Sequence, residues 1–285
     1  MSDRARYLEC SAPSMGSAVG RLVKCSLPAM AMALLHLLAA SACSAQAQPD
    51  SPQAMLQAAS EALKAEKVDE SAKLAKKAAE VGRQDAAIQQ RAAEILFLSG
   101  DPQASLPYFD RAIELDAKLA PHNWQRGVAL GCAGKFSEGA DQFRLHHEVN
   151  PDDVENSAWY FLCVAKTKGK AAAEAALIPS RGDRRQPMMS VLKMLQGTLA
   201  PNEVLTAAET STKAGPERKL AMFYGLLYVG LYYDSIGESE KALAALERSM
   251  SVADTDYMGR TARIYRLHRF DNSPSSSSKP SAPAK

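Results

Sequence analysis

Two adjacent histidines, His146 and His147, come nearest to the composition of a metal site in this sequence. Glu148 and Asp152 follow them, and imidazole and carboxylate groups are common metal ligands. Adjacent residues on a helix point about 100° apart, whereas metal-binding histidines on a helix are typically spaced by four. We therefore predict a packing role for this pair, or a favourable interaction with a helix C-terminus, and no metal.

The sequence contains none of the common catalytic or nucleotide-binding patterns. It has no P-loop, no G-x-S-x-G turn, no Rossmann glycine pattern and no C-x-x-C pair. The adjacent carboxylates Asp152 and Asp153 precede a predicted helix, where N-capping accounts for them. We expect no catalytic residues, no cofactor and no enzymatic activity.

Two tryptophans are the strongest candidates for a binding site. Trp124 and Trp159, the only tryptophans of the chain, fall at equivalent places on predicted helices whose axes should lie about 8–10 Å apart. A platform formed by both would suit a protein partner, because tryptophan is enriched at interface hot spots. The alternative is that each tryptophan belongs to the core. The other candidates around the platform are Gln90, Glu94, Cys163 and Lys166.

Four arginines repeat at every third residue along the last predicted helix. They are Arg260, Arg263, Arg266 and Arg269. At this spacing they form a basic stripe that drifts slowly around the helix. One interpretation is a solvated outer surface. The other is a contact with an acidic partner or with an anionic membrane surface.

The helices that would position these residues follow a repeat of 34 residues. Gly100 recurs as Gly134 and Phe109 as Phe143 at this interval, which is the period of the tetratricopeptide repeat, a helix-turn-helix unit. Glycine is predicted where the first helix of each unit ends, and a small residue such as Gly127 lets the two helices approach closely. We predict an all-α fold, a right-handed α-solenoid of about five tetratricopeptide-type repeats.

The predicted repeats lie near residues 52–85, 86–119, 120–153, 154–178 and 216–254. The segment 179–215 is predicted to be an irregular helical segment, with one helix capped by Asn202 after a break at Pro201. Residues 257–270 are predicted to be a capping helix that covers the last apolar face of the solenoid. The serine- and proline-rich residues 271–285 are predicted to be a disordered tail.

Residues 1–47 have the pattern of a secretory signal peptide. Lys24 precedes the apolar run 29–40, and small residues follow up to Ala47. The run is too short for a membrane span, which needs about 20 residues. Cys43 is a candidate for lipidation, although alanine stands at Ala40, where a bacterial lipobox usually has leucine. A presequence for the thylakoid lumen would have much the same pattern.

The remaining chain is electrically neutral and poor in cysteine. It carries 30 basic and 30 acidic side chains, which argues against a nucleic-acid binder because such proteins need an excess of lysine and arginine. Only Cys132 and Cys163 lie beyond the predicted leader. We expect them to be buried free thiols, although pairing in an oxidising compartment is the alternative.

The repeats resemble the NlpI family of bacterial outer-membrane tetratricopeptide lipoproteins. The similar stretches are Pro121-His-Asn-Trp-Gln-Arg-Gly127, Asn150-Pro-Asp-Asp-Val154, Trp159-Tyr-Phe-Leu162, Phe223-Tyr224 and Tyr232-Tyr233-Asp-Ser-Ile-Gly237. With the order of the helices, they extend the resemblance over about residues 55–268. The resemblance implies a non-enzymatic adaptor that dimerises and brings envelope proteases and peptidoglycan hydrolases together.

We therefore expect an exported, non-enzymatic scaffold that binds a protein or peptide segment in its concave groove. Its place would be the periplasm or the outer membrane, with membrane attachment only if Cys43 is lipidated. The alternatives are a cytoplasmic assembly scaffold with an uncleaved N-terminal helix and a protein of the thylakoid lumen. The identity of the partner is not encoded in any pattern that can be recognised in the sequence.

Overall fold

The computed structural model describes residues 51–211, 213–252 and 256–271, and every regular element within them is helical, as the all-α prediction requires. The predicted leader, Cys43 and the residues after Asp271 lie outside these ranges. A 3-10 helix, Ala117–His122, precedes α5, and a π-helical turn, Leu267–Asp271, follows α13. The α-helices of the described residues are α1 (Pro52–Lys64), α2 (Val68–Val81), α3 (Ala86–Leu98), α4 (Pro102–Leu115), α5 (Trp124–Cys132), α6 (Phe136–His147), α7 (Val154–Lys168), α8 (Lys170–Ala175), α9 (Met188–Leu195), α10 (Pro201–Thr210), α11 (Pro216–Ser235), α12 (Ser239–Val252) and α13 (Tyr257–Arg266).

The helices of the described part pack in neighbouring pairs. The pairs are α1/α2, α3/α4, α5/α6, α7/α8 and α11/α12. The second helix of each of the first three pairs also contacts the first helix of the next pair, and the first helices α1 and α3, α5 and α7, and α7 and α11 contact each other. This arrangement is compatible with an α-solenoid. Between the last two pairs, α9 and α10 contact each other, and both contact α11.

Glycines end the first helices of four pairs in the conformation that the repeat predicts. The φ angles are 98° at Gly100, 76° at Gly134, 83° at Gly169 and 85° at Gly237. A positive φ in this range is disfavoured for residues with a Cβ atom. The predicted turn positions are therefore confirmed.

Small residues in first helices face large ones in second helices. A Cβ atom at Gly127 would lie 2.8 Å from the Phe143 ring, and one at Gly230 would lie 2.9 Å from Cγ of Leu246. Both large side chains are buried. Glycine is therefore needed at Gly127 and Gly230 for the two helices of each pair to pack this closely.

Two helix starts differ from the sequence-based expectation. The repeat boundary at residue 120 falls within the 3-10 helix, and α5 begins only at Trp124, because Asn123 caps it by accepting a hydrogen bond from the Arg126 amide. Pro201 is the first residue of α10 rather than a break before it. Proline is favoured at this position because its fixed φ suits a helix. The N–H group that proline lacks would have no hydrogen-bond partner within the helix at its first residue. Asn202 is therefore inside the helix and does not cap it.

Cys132 and Cys163 are buried free thiols. Burial raises the pKa of Cys132 and of Cys163. A raised pKa lowers the thiolate fraction on which reactivity depends. These thiols are therefore core residues with little nucleophilic character.

Candidate functional site

The last helix, α13, lies against the first helices of the pairs. It contacts α3 and α5 as well as its neighbour α12. Its side chains also reach the C-terminal end of α1, Trp159 of α7 and Asp234 of α11. We call the residues that α13 and the π-helical turn after it contact on these helices and their turns the inner face. The inner face consists of Leu63, Glu66, Phe97, Gly100, Trp124, Trp159 and Asp234.

Tyr257, the first residue of α13, packs between aromatic rings of α3 and α5. Its ring centroid lies 4.9 Å from that of Trp124, at an interplanar angle of 68°. The centroid of the Phe97 ring is 5.8 Å from that of Tyr257. Edge-on contacts of this kind are favoured by the aromatic quadrupoles. The more exposed of the two tryptophans therefore contacts a tyrosine of the chain itself.

Tyr265 makes the corresponding contact near the other end of α13. Its ring centroid lies 5.8 Å from that of Trp159, at an interplanar angle of 79°. Trp159 is only 1% exposed and also stacks on Phe143 at 6.2 Å. Trp159 is therefore a core residue with α13 in place, as one of the two alternatives held, whereas Trp124 is half-buried. The two tryptophans contact different tyrosines of the same helix.

A buried carboxylate, Asp234 at the end of α11, connects α13 to α7. It is 1% exposed and accepts hydrogen bonds from Tyr265 Oη at 2.5 Å, Arg269 Nε at 3.0 Å and Lys166 Nζ at 2.9 Å. Burial raises the pKa of the Tyr265 hydroxyl, and the Asp234 carboxylate raises it further. Burial lowers the pKa of Lys166, and Asp234 opposes that shift. Lys166, a predicted binding residue, is thus engaged within the chain.

Two further contacts are made by Arg260, near the start of α13, and by His268 in the π-helical turn after it. Arg260 donates to the Leu63 carbonyl at 2.9 Å and to the Glu66 carboxylate at 2.6 Å, both at the end of α1. His268 Nε2 lies 2.8 Å from the Gly100 carbonyl oxygen. Residues 260–269 therefore contact the chain from its first pair to its last.

The predicted basic stripe does not form one face. Each step of three residues turns the direction by about 60° on an α-helix, so that the first and fourth members differ by about half a turn. Arg260 and Arg269 pair with residues of the inner face, and Arg266 pairs with Glu247 of α12 and with Asp271. Arg263 is exposed.

Part of the predicted site, on α3 and α5, remains accessible. Gln90 exchanges hydrogen bonds with Asn123 and donates to Glu94 at 3.0 Å, and Gln125 donates to Glu94 at 3.4 Å. Gln90, Glu94 and Gln125 are each only half-buried. This polar network joins α3 to α5 and offers amide and carboxylate groups to solvent.

His146 has the packing role that we expected for it. His146 is buried, and its Nδ1 lies 2.8 Å from the Pro121 carbonyl oxygen. Within the described residues, no group of three or more His, Cys, Asp and Glu side chains is arranged to hold a metal ion. His146 therefore links the end of α6 to the 3-10 helix.

A second buried charge cluster lies at the start of α7. Arg185 forms ion pairs with Asp153 at 2.6 Å, with Asp183 at 2.5 Å and with Glu155, to which Tyr228 also donates a hydrogen bond. Burial lowers the pKa of Arg185, but the three carboxylates raise it by more. The guanidinium stays charged and joins the loop 176–187 to α7.

Sequence reasoning missed the importance of Asp234, Tyr257 and Tyr265. Their common role depends on α13 meeting residues far away in the chain, which a repeat pattern cannot predict. The sequence held one signal, the apolar residues Met258, Ala262, Ile264 and Tyr265 within one short helix. The structure buries all four together with Thr261, which is a wider buried surface than the single apolar stripe of a surface helix.

No helix among the described residues is both long and apolar enough to span a membrane. A search against models of known protein families found no match to the chain.

Proposed function

We propose that this protein is a non-enzymatic adaptor of the tetratricopeptide type whose inner face binds a helical segment of a partner protein. The observation that carries this proposal is the position of α13, because a face that holds one α-helix through Trp124, Trp159 and Asp234 has the shape and chemistry to hold another. The 34-residue period, the turn glycines and the close pairing of Gly127 with Phe143 support the repeat type.

The residues that we propose to contact the partner are those predicted from the repeat. Gln90 and Glu94 are accessible, whereas Trp124, Trp159 and Lys166 would be reached where α13 and the turn after it now lie. Aromatic and charged residues at a partly desolvated centre are typical of binding hot spots. We further propose export to the periplasm or outer membrane and a dimeric state, both on the resemblance to the NlpI family.

Site-specific photo-cross-linking tests the adaptor proposal. With p-benzoylphenylalanine in place of Gln90, the full-length protein in its native cells is expected to form a discrete cross-linked product with a partner on irradiation. The matched control replaces Val149, which is exposed and follows the second helix α6. Equal products from both positions, or none from position 90, would contradict the assignment of Gln90 to the partner-binding residues.

Mass spectrometry of the N-terminus tests export. A mature chain that begins at Gln48 is the expected result, because the small residues before it resemble a signal-peptidase site. A chain beginning at a diacylglyceryl-modified Cys43 would instead indicate a lipoprotein. Retention of Met1 or Met15 would contradict export and favour the cytoplasmic scaffold.

A further inference from the structure

We propose that the partner segment is a basic helix with the same contact pattern as α13, and that α13 is its competitor on the inner face. The inference rests on the proposed function and adds the chemistry of the partner and a condition for its binding. In the resting protein α13 occupies the inner face. The partner binds when α13 leaves.

Four side chains of the C-terminal segment define the pattern. Tyr257 and Tyr265 each place a ring against a tryptophan, while Arg260 and Arg269 pair with acidic groups near the two ends. The spacing is Tyr-x2-Arg-x4-Tyr-x3-Arg. A partner helix with this spacing that ends in a similar π-helical turn can make the same contacts.

The charge of the inner face determines whether a basic or an acidic partner helix can bind. Glu66 at one end is exposed, and Asp234 at the other is buried beside Lys166. Without a cation from the occupant, Asp234 would lose one of the partners that compensate its burial. An acidic helix would therefore be rejected, and a basic one favoured.

Departure of α13 removes its buried side chains Met258, Ile264 and Tyr265 from the core, a loss that the partner helix must offset, but it breaks no contact between the helix pairs. The helix α12, which ends at Val252, contacts α11 independently of α13. At one end the ion pair of α13 is made with Glu66, whose side chain is 63% exposed, and at the other the Arg269 side chain is 38% exposed. The pairs α1/α2 to α11/α12 contact each other without it.

A tethered competitor weakens binding from solution. A segment joined by a short linker has an effective concentration on the order of millimolar. A partner that binds only to the free inner face then has an apparent affinity reduced by the fraction of molecules in which α13 has left. Release of α13 is therefore expected to strengthen binding without any change to the inner face.

The experiment compares the full-length protein with its Ala262→Pro variant, using a fluorescein-labelled peptide of residues 256–271. Proline inside a helix removes a hydrogen bond and clashes with the preceding turn, and Ala262 is an interior residue of α13. We expect the variant to bind the peptide about 10-fold or more tightly than the wild type does. Equal affinities, or no binding to the variant, would overturn the proposal.

Tryptophan fluorescence provides a second measurement on the same samples. Trp124 and Trp159 are the only tryptophans, and both contact tyrosines of α13. The variant should show stronger acrylamide quenching, which the peptide should reverse. If Ala262→Pro loses its helical circular dichroism, the double variant Arg260→Ala/Arg269→Ala replaces it, since it removes the terminal ion pairs and keeps α13 helical. Peptide affinity equal to that of the wild type in this variant would also overturn the proposal.

A host peptide tests the chemistry of the partner. An alanine-based helix carrying only the Tyr-x2-Arg-x4-Tyr-x3-Arg pattern is expected to bind the released variant, whereas the same helix with both tyrosines replaced by alanine, or both arginines by glutamate, is not. Equal binding by all three would overturn the pattern. A wild-type dimer that Ala262→Pro dissociates would assign the inner face to α13 of a second copy and overturn it as well. No cellular partner takes part in these measurements, so they fail independently of the cross-linking test.

Discussion

Replacement of Asp234 by alanine is expected to lower the free energy of unfolding by about 3–5 kcal/mol, because it breaks a buried ion pair by removing one partner. Asp234 is 1% exposed, and its loss leaves the Lys166 ammonium, 12% exposed, without the carboxylate that compensates its burial. The Tyr265 hydroxyl and the Arg269 guanidinium lose the same acceptor. Urea denaturation followed by circular dichroism measures the change.

The matched control is Asp271→Ala. Asp271 pairs with Arg266 at 2.7 Å, but its side chain is 41% exposed, and exposed ion pairs contribute about 0–1 kcal/mol. Acrylamide should also quench the tryptophan fluorescence of the Asp234 variant more strongly. Asp234 accepts a hydrogen bond from the Tyr265 hydroxyl and so helps to keep the Tyr265 ring against Trp159. If both variants lose equal stability, Asp234 is not the point that holds α13 to the inner face.

The repeat elements could be predicted because they depend on local requirements. A turn that needs positive φ selects glycine at Gly100 and Gly134, and a close helix pair selects glycine opposite Phe143. These requirements recur at a fixed interval, so that a single sequence displays them several times. The all-helical fold follows from the same signals.

The position of α13 could not be predicted for the opposite reason. Its contacts join residues that are far apart in the sequence, such as Arg260 with Leu63 and His268 with Gly100, and each occurs once. The tryptophans were recognised as candidates from their type and place, but nothing local indicates that Tyr257 and Tyr265 would pack against them. The start of α5 differed for a local reason, since Asn123 is the residue that caps it.

Ion pairs join the irregular segment between α8 and α11 to α7. Arg185 in this segment meets Asp153, the N-cap residue of α7, and Glu155 in its first turn. Tyr228 of α11 donates to the same Glu155 carboxylate. Sequence reasoning placed helices in this segment but could not place the loop, because the ion pairs depend on its folded position.

Replacement of Arg185 by methionine is expected to lower the free energy of unfolding by about 3–5 kcal/mol. Methionine retains an unbranched apolar side chain but removes the cation that bridges three carboxylates, of which Glu155 is fully buried. Differential scanning calorimetry and urea denaturation both measure the loss. The matched control, Arg144→Met, removes an arginine that pairs with Asp141 where both side chains are largely exposed, and it should change stability by less than about 1 kcal/mol.

A double-mutant cycle separates the charge from the shape of Arg185. Glu155→Gln removes the most buried negative charge, so that in the Arg185→Met background it should be less harmful than in the wild type. The double variant is then expected to lose less stability than the two single variants combined, by about 1 kcal/mol or more, as contacting charged residues do. Strict additivity would mean that Arg185 stabilises the loop 176–187 by packing alone, and that the buried carboxylate is compensated by other groups, Tyr228 among them.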